Sequence, residues 1–140
     1  NEVVDIEKFH HQINRLKQMP NVILKKGIAK KYIPSLIKTF DVAIIPYQGS
    51  LELNQYCYPM KLFEYFYMGK PVVSAPIKEL KRFPQFVKIS HKSVERKEKI
   101  KSLLKKPWSK KIQLRQKQLA KQNSWSKKLE KISGIITDQK

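Results

Sequence analysis

Apolar residues recur along this chain with two periods, and the alternation between them lays out its elements. Ile6, Phe9, Ile13 and Leu16 stand three and four apart, which predicts an amphipathic helix over residues 6–19 ended by Pro20-Asn21. Val22, Ile23 and Leu24 form a short apolar run before Gly27 and predict a strand. Helical spacing returns with Ile33, Leu36, Ile37 and Phe40 across residues 30–40. Val42-Ala43-Ile44-Ile45 is continuously apolar, the pattern of a parallel strand buried on both faces. The twelve residues 47–58, with Gly49, Ser50 and Asn54, carry no period. A connection that long is uncommon in a compact α/β unit and is usually functional or mobile.

The most clearly marked element follows. Pro59 suits the first turn of a helix, because its missing N–H would be unpaired there anyway. Met60, Leu62, Phe63, Phe66 and Tyr67 fill the run, Gly69 offers a left-handed end, and Pro71 forbids continuation. Val72-Val73-Ser74-Ala75 is the next strand. A short helix over 77–81 and a strand over 86–89 repeat the unit. From Lys92 the chain reads as helical, broken at Pro107. Asn123 or Ser124 caps a last helix holding Trp125, Leu129, Ile132, Ile135 and Ile136.

Alternating strands and helices predict one α/β domain, a Rossmann-like parallel sheet flanked by helices with a helical C-terminal segment. The sheet core is expected over about residues 20–90 and the helices over 92–140. The expected order puts 42–45 at the centre, 22–24 and 72–75 beside it, and 86–89 further out.

Charge changes the picture most. Thirty Lys and Arg against eleven Asp and Glu give +19, which draws the chain towards phosphates, nucleic acid and anionic membrane. Arginine, the usual bidentate reader of bases, stands only at Arg15, Arg82, Arg96 and Arg115. A basic α/β module binding nucleic acid through its lysine-rich C-terminal helices is therefore the alternative function. It is disfavoured, since no nucleic-acid motif occurs and Trp108 and Trp125 read as packing anchors. A receiver-like domain is disfavoured too, because the first strand lacks an acidic pair. His10, His11 and His91 have no partners at ligand spacing, so no metal is expected. The lone Cys57 excludes an internal disulfide and reads as a small, semi-buried hydrophobe. No apolar run is long enough to span a bilayer.

In parallel sheets ligands sit beyond the carboxyl ends of the strands, where the 47–58 loop and the start of the Pro59 helix must lie. A helix start suits a phosphate. Glu64 is the one acid in an apolar and aromatic run. Its plain reading is an exposed partner of Lys61; its functional reading is an acceptor for sugar hydroxyls. Together these point to an anionic ligand bearing hydroxyls, such as a nucleotide or nucleotide sugar.

Asp41-Val42-Ala43-Ile44-Ile45-Pro46-Tyr47, then Pro59-x-Lys61-Leu62-Phe63-Glu64-Tyr65, then Gly69-Lys70-Pro71-Val72-Val73 resembles the donor-binding C-terminal half of retaining GT-B glycosyltransferases. The similarity runs over about residues 20–136, to the Asn123-Ser124-Trp125 opening the closing helix. It is nearest to bacterial enzymes of cell-surface polysaccharide or lipid-linked sugars. The resemblance implies a nucleoside-diphosphate-sugar donor, no metal and no cofactor. It implies that Glu64 holds the ribose hydroxyls and that Pro59, Met60, Lys61 and Leu62 face the diphosphate. Gly27 and Ile28 would be the turn beside the nucleobase, and Lys61 would support the loop or touch a phosphate. It also implies a cytoplasmic protein, peripheral on the inner face of the plasma membrane.

Departures accompany the likeness. Many members carry a second glutamate eight residues before the ribose glutamate, and Tyr56 stands there. Glu52 or Asn54 would have to take the donor sugar instead. No glycine-containing strand with a basic pair precedes Ile6, and the acceptor-binding half is absent. The chain is therefore expected to be a fragment that transfers no sugar alone, and no residue is assigned a catalytic role. Ile132, Ile135 and Ile136 are expected to fold back on the sheet or stay exposed and favour self-association.

Overall fold

The computed structural model describes residues 6–47 and 52–137. Gly49, Ser50 and the side chain of Ile6 lie outside the described residues. The chain forms two units, Asn1–Ile33 and Pro34–Lys140.

In the first unit, helix α1 (Ile6–Lys17) follows the predicted amphipathic spacing. Residues 22–29 carry no regular structure, so the strand expected at 22–24 is absent. The Val22 amide closes a turn onto the Met19 carbonyl at 3.1 Å, and Ile23 is 82% exposed. Three apolar residues hold a strand only through a neighbour's ladder, and among the described residues none pairs with these. A 3₁₀ turn, Lys30–Tyr32, leads into α2 (Ile33–Lys38) at the unit boundary.

The second unit is the α/β fold predicted, a Rossmann-like parallel sheet flanked by helices. Strand β1 (Ala43–Ile45) is followed by α3 (Glu52–Tyr56), α4 (Lys61–Tyr67) and β2 (Val72–Ser74). A 3₁₀ helix, Lys78–Arg82, precedes β3 (Val87–Ile89), and α5 (Ser93–Lys105), α6 (Lys110–Gln122) and α7 (Trp125–Thr137) complete the described chain. The loop read as irregular thus contains one short helix, α3.

The strand order is β1-β2-β3, all parallel, with Ala43 opposite Val72 and Val72 opposite Val87. This corrects two expectations. The strand at 72–74 is central, and β1 lies at the edge because the 22–24 strand that would have flanked it does not form. Nor is β1 covered on both faces. Ala43 and Ile45 are buried, but Ile44 between them is 41% exposed. The buried face joins Ala43, Ile45, Val72 and Val87 to Leu62 and Phe66 of α4, Leu80 and Ala120. Full burial of a large apolar side chain contributes about 1.5–3 kcal/mol, so this cluster carries the unit.

Helix α4 ends as its sequence foretells. Gly69 has φ of 68°, its amide donates to the Phe66 carbonyl at 2.9 Å, and the Lys70 amide donates to that of Tyr65 at 2.9 Å. This is a Schellman closure. A β-carbon on Gly69 would stand 3.1 Å from Cβ of Gln113 on α6. Gly69→Ala is expected to lower stability by about 1–2 kcal/mol from the left-handed conformation alone, before Gln113 must yield. Urea denaturation checks this, and an unchanged midpoint would refute it.

Candidate functional site

Because all three strands run the same way, the segments after β1, β2 and β3 emerge at one end of the sheet. After β3, the Ser90 amide donates to the Ser74 carbonyl at 2.8 Å, and Arg96 Nε donates to Ser90 Oγ at 3.2 Å. Lys99 Nζ donates to the Ile89 carbonyl and pairs with Glu95. The Glu95 carboxyl is held down to about 2, first by the Lys99 hydrogen bond and then by that of the His91 amide. The opening of α5 therefore ties down the carboxyl end of β3 and sets cations there.

The segments after β1 and β2 meet at Tyr56 and Lys78. The Lys78 ammonium donates to the Tyr56 hydroxyl and lies 3.9 Å from the ring centroid. Lys78 was missed in the sequence, although a signal existed. It stands four residues beyond Ser74, so the parallel sheet had to bring it to the carboxyl end.

Helix α4 packs through Leu62 and Phe66, both fully buried. Phe63 and Tyr65 flank them, meeting Tyr58, Phe83 and Phe40 ring to ring. At about 100° per residue, Glu64 falls roughly opposite the Leu62–Phe66 stripe, yet it is partly buried. Its carboxylate forms no hydrogen bond or ion pair among the described residues. The plain reading, a pair with Lys61 one turn back, is not realised. Burial raises the Tyr65 phenol above its ordinary value, followed by the nearby Glu64 carboxylate and then Tyr47. Tyr47, the second residue beyond β1, is packed against the core.

The remaining predicted site residues divide in two. Pro59 is buried and its carbonyl accepts from the Leu62 amide at 3.0 Å, while Met60 and Lys61 are exposed at the head of α4. Asn54 lies in α3, and its carbonyl accepts from the Cys57 thiol at 3.2 Å. Tyr56, standing where a second glutamate was expected, is engaged with Lys78. Gly27 and Ile28 belong to the first unit, within the irregular residues 22–29. Trp108 packs on Phe86, but Trp125 is 67% exposed and anchors nothing, because α7 has no buried residue.

A cleft of about 410 Å³ opens at the other end of the strands, where Asp41 and Pro71 precede β1 and β2. Lys70 on its wall already donates to the Lys38 carbonyl at 2.7 Å. Chemically, the described residues offer groups that an anionic ligand with hydroxyls needs: a carboxylate on α4 with no partner among them, and a lysine beyond β2 at the carboxyl end of the sheet.

No family model matches the chain, and no solved structure matches it. Over 58 residues it is 41% identical to the protein named "Putative teichuronic acid biosynthesis glycosyltransferase TuaH" of Bacillus subtilis (strain 168). That stretch is 41% of this chain and 14% of the relative's length, so over less than half of its residues the chain is related to a glycosyltransferase.

Proposed function

We propose that this chain is the nucleotide-sugar-binding part of a glycosyltransferase, the donor half of a GT-B enzyme. The observation that carries this reading is Glu64, a partly buried carboxylate without a partner among the described residues, on the helix that follows the loop after β1. A side chain so placed gives up part of its solvation without recovering it among the described residues, and a ligand hydroxyl would restore the balance. Lys78 would meet the diphosphate together with the backbone leading into α4, and Tyr56 would steady it through the shared contact. In transfer, these groups would stabilise charge on the leaving diphosphate, with no bond made to the protein. The relative is named for teichuronic acid biosynthesis, and to this chain we carry a polysaccharide or lipid-linked acceptor held by sequence outside these 140 residues. The reaction is expected to retain the anomeric configuration and to need no metal.

Calorimetric titration with UDP, GDP, ADP and CDP, at low and at moderate salt, tests the reading. One diphosphate is expected to give saturable heat and to bind at least tenfold more tightly than its monophosphate. Absence of saturable heat with all four would overturn the proposal. So would an oligonucleotide binding more tightly than every diphosphate, the result expected of a nucleic-acid module.

A further inference from the structure

Arg96 is the fourth residue of α5, a place that the helix dipole disfavours for a cation, so helix stability does not account for it. Its Nε donates to Ser90 Oγ at 3.2 Å, and Ser90 Oγ in turn donates to the Ser74 carbonyl at 3.3 Å. Ser90 and Ser74 are both 0% exposed, and Ser74 ends the central strand. The guanidinium is therefore held within two hydrogen bonds of the carboxyl end of β2, the end from which the chain runs on to Lys78. Only Nε is used. The two terminal nitrogens, each with two N–H groups, have no hydrogen bond or ion pair among the described residues. The neighbouring acids are taken, Glu95 by Lys99 and the His91 amide, Glu98 by Lys101. Arg96 is partly buried, and a guanidinium so placed without a counter-charge has lost solvation that an anion would return.

We propose that Arg96 is a second anion-binding residue of the ligand end, its terminal nitrogens taking a pair of oxygens from the terminal phosphate of the nucleoside diphosphate. This rests on the nucleotide reading and adds to it a residue from beyond β3. The strand order sets the order of contacts. Helix α4 crosses from β1 to β2, Lys78 follows β2, and Arg96 follows β3. A nucleotide with its ribose at Glu64 that runs along this order reaches Arg96 last. Lysine is a point charge, whereas the planar guanidinium fork meets two phosphate oxygens at once. The bond to Ser90 fixes the plane of that fork before the ligand arrives, so less freedom is lost on binding. Ser90 is thus a positioning residue and touches no ligand itself.

Calorimetry with the diphosphate that the parent prefers, and with its monophosphate, tests this on the parent, Arg96→Lys and Arg115→Lys. Arg96→Lys keeps the charge and loses the fork. It is expected to lower diphosphate affinity at least tenfold and monophosphate affinity less than threefold, with circular dichroism that of the parent. Arg115→Lys, on the exposed side of α6, should match the parent with both. A general loss of structure would weaken both nucleotides alike, so the changed ratio identifies the contact. In the parent itself, the Arg96 Nε–Hε signal in NMR should shift saturably with the diphosphate and much less with the monophosphate. A signal that stays in place, parent-like affinity of Arg96→Lys, or equal loss with both nucleotides would overturn the contact and leave the nucleotide reading standing. A parent that binds none of the diphosphates would overturn both. A uronate-bearing diphosphate sugar bound tenfold more tightly than its neutral counterpart by the parent, but not by Arg96→Lys, would give the fork to a sugar carboxylate instead.

Discussion

Phe66→Ala is expected to remove about 3–5 kcal/mol of stability, the range for emptying a fully buried aromatic site. Phe66 is 0% exposed and meets three other rings edge to face: Phe63 at 6.1 Å, Phe83 at 5.6 Å and Phe86 at 5.5 Å between centroids. Each such contact adds about 0.5–1.5 kcal/mol beyond burial. Those neighbours come from α4 itself, from the end of the 3₁₀ helix and from the residue before β3. The surrounding chain cannot close the space without moving β3. A small domain is stable by only about 5–15 kcal/mol, so the variant should populate unfolded chain at room temperature. Chemical denaturation gives the figure, with Leu104→Ala on the exposed side of α5 as the control. A loss below about 1 kcal/mol would show that the aromatic cluster is not the core.

The second large effect concerns binding and leaves the fold intact. Glu64→Ala is expected to weaken nucleoside diphosphate affinity by about 10- to 150-fold, the equivalent of losing a charged hydrogen bond worth roughly 1.5–3 kcal/mol. Its stability should stay within about 0.5 kcal/mol of the parent, because the carboxylate has no partner in the described chain to orphan. That pairing of outcomes separates the two substitutions, although their side chains sit on one helix two residues apart. Phe66→Ala loses binding by losing structure; Glu64→Ala loses it with structure retained. Equal affinity of the Glu64 variant and the parent would remove the ribose assignment, whatever the fate of the fold.

What could be read from the sequence was local. Gly69 and Pro71 mark the end of α4 because each restricts its own backbone, and the structure realises that end, whereas Pro59 stands two residues before Lys61, ahead of the Met60 cap rather than at the first helical position. The apolar runs at 42–45, 72–75 and 86–89 gave their strands because a parallel strand needs apolar residues whatever its neighbours. Decisions made at long range could not be read. Val22, Ile23 and Leu24 look no different from Ala43, Ile44 and Ile45, yet only the second set finds a ladder. Trp108, in the link between α5 and α6, and Trp125, the first residue of α7, are the same residue, and only the path of the chain decides that the first meets Phe86 and the second meets solvent. Of the candidate site, Glu64 was visible as an acid among apolar residues. Lys78 was hidden among many lysines, because composition does not say which of them a sheet will bring to its carboxyl end.

The link from α4 to β2 has a mechanical consequence. Four residues separate Tyr67 from Val72, and Lys70 within them is fastened three ways, by its amide to Tyr65, its carbonyl to Gln116 Nε2 and its ammonium to Lys38. Such a tether has no slack. The helix cannot slide along its axis, and it cannot tilt without dragging the central strand and, through its ladder, both neighbours. A pull on Glu64 is therefore transmitted to the whole sheet rather than absorbed by a local hinge, so this part of the molecule would travel as a rigid lever.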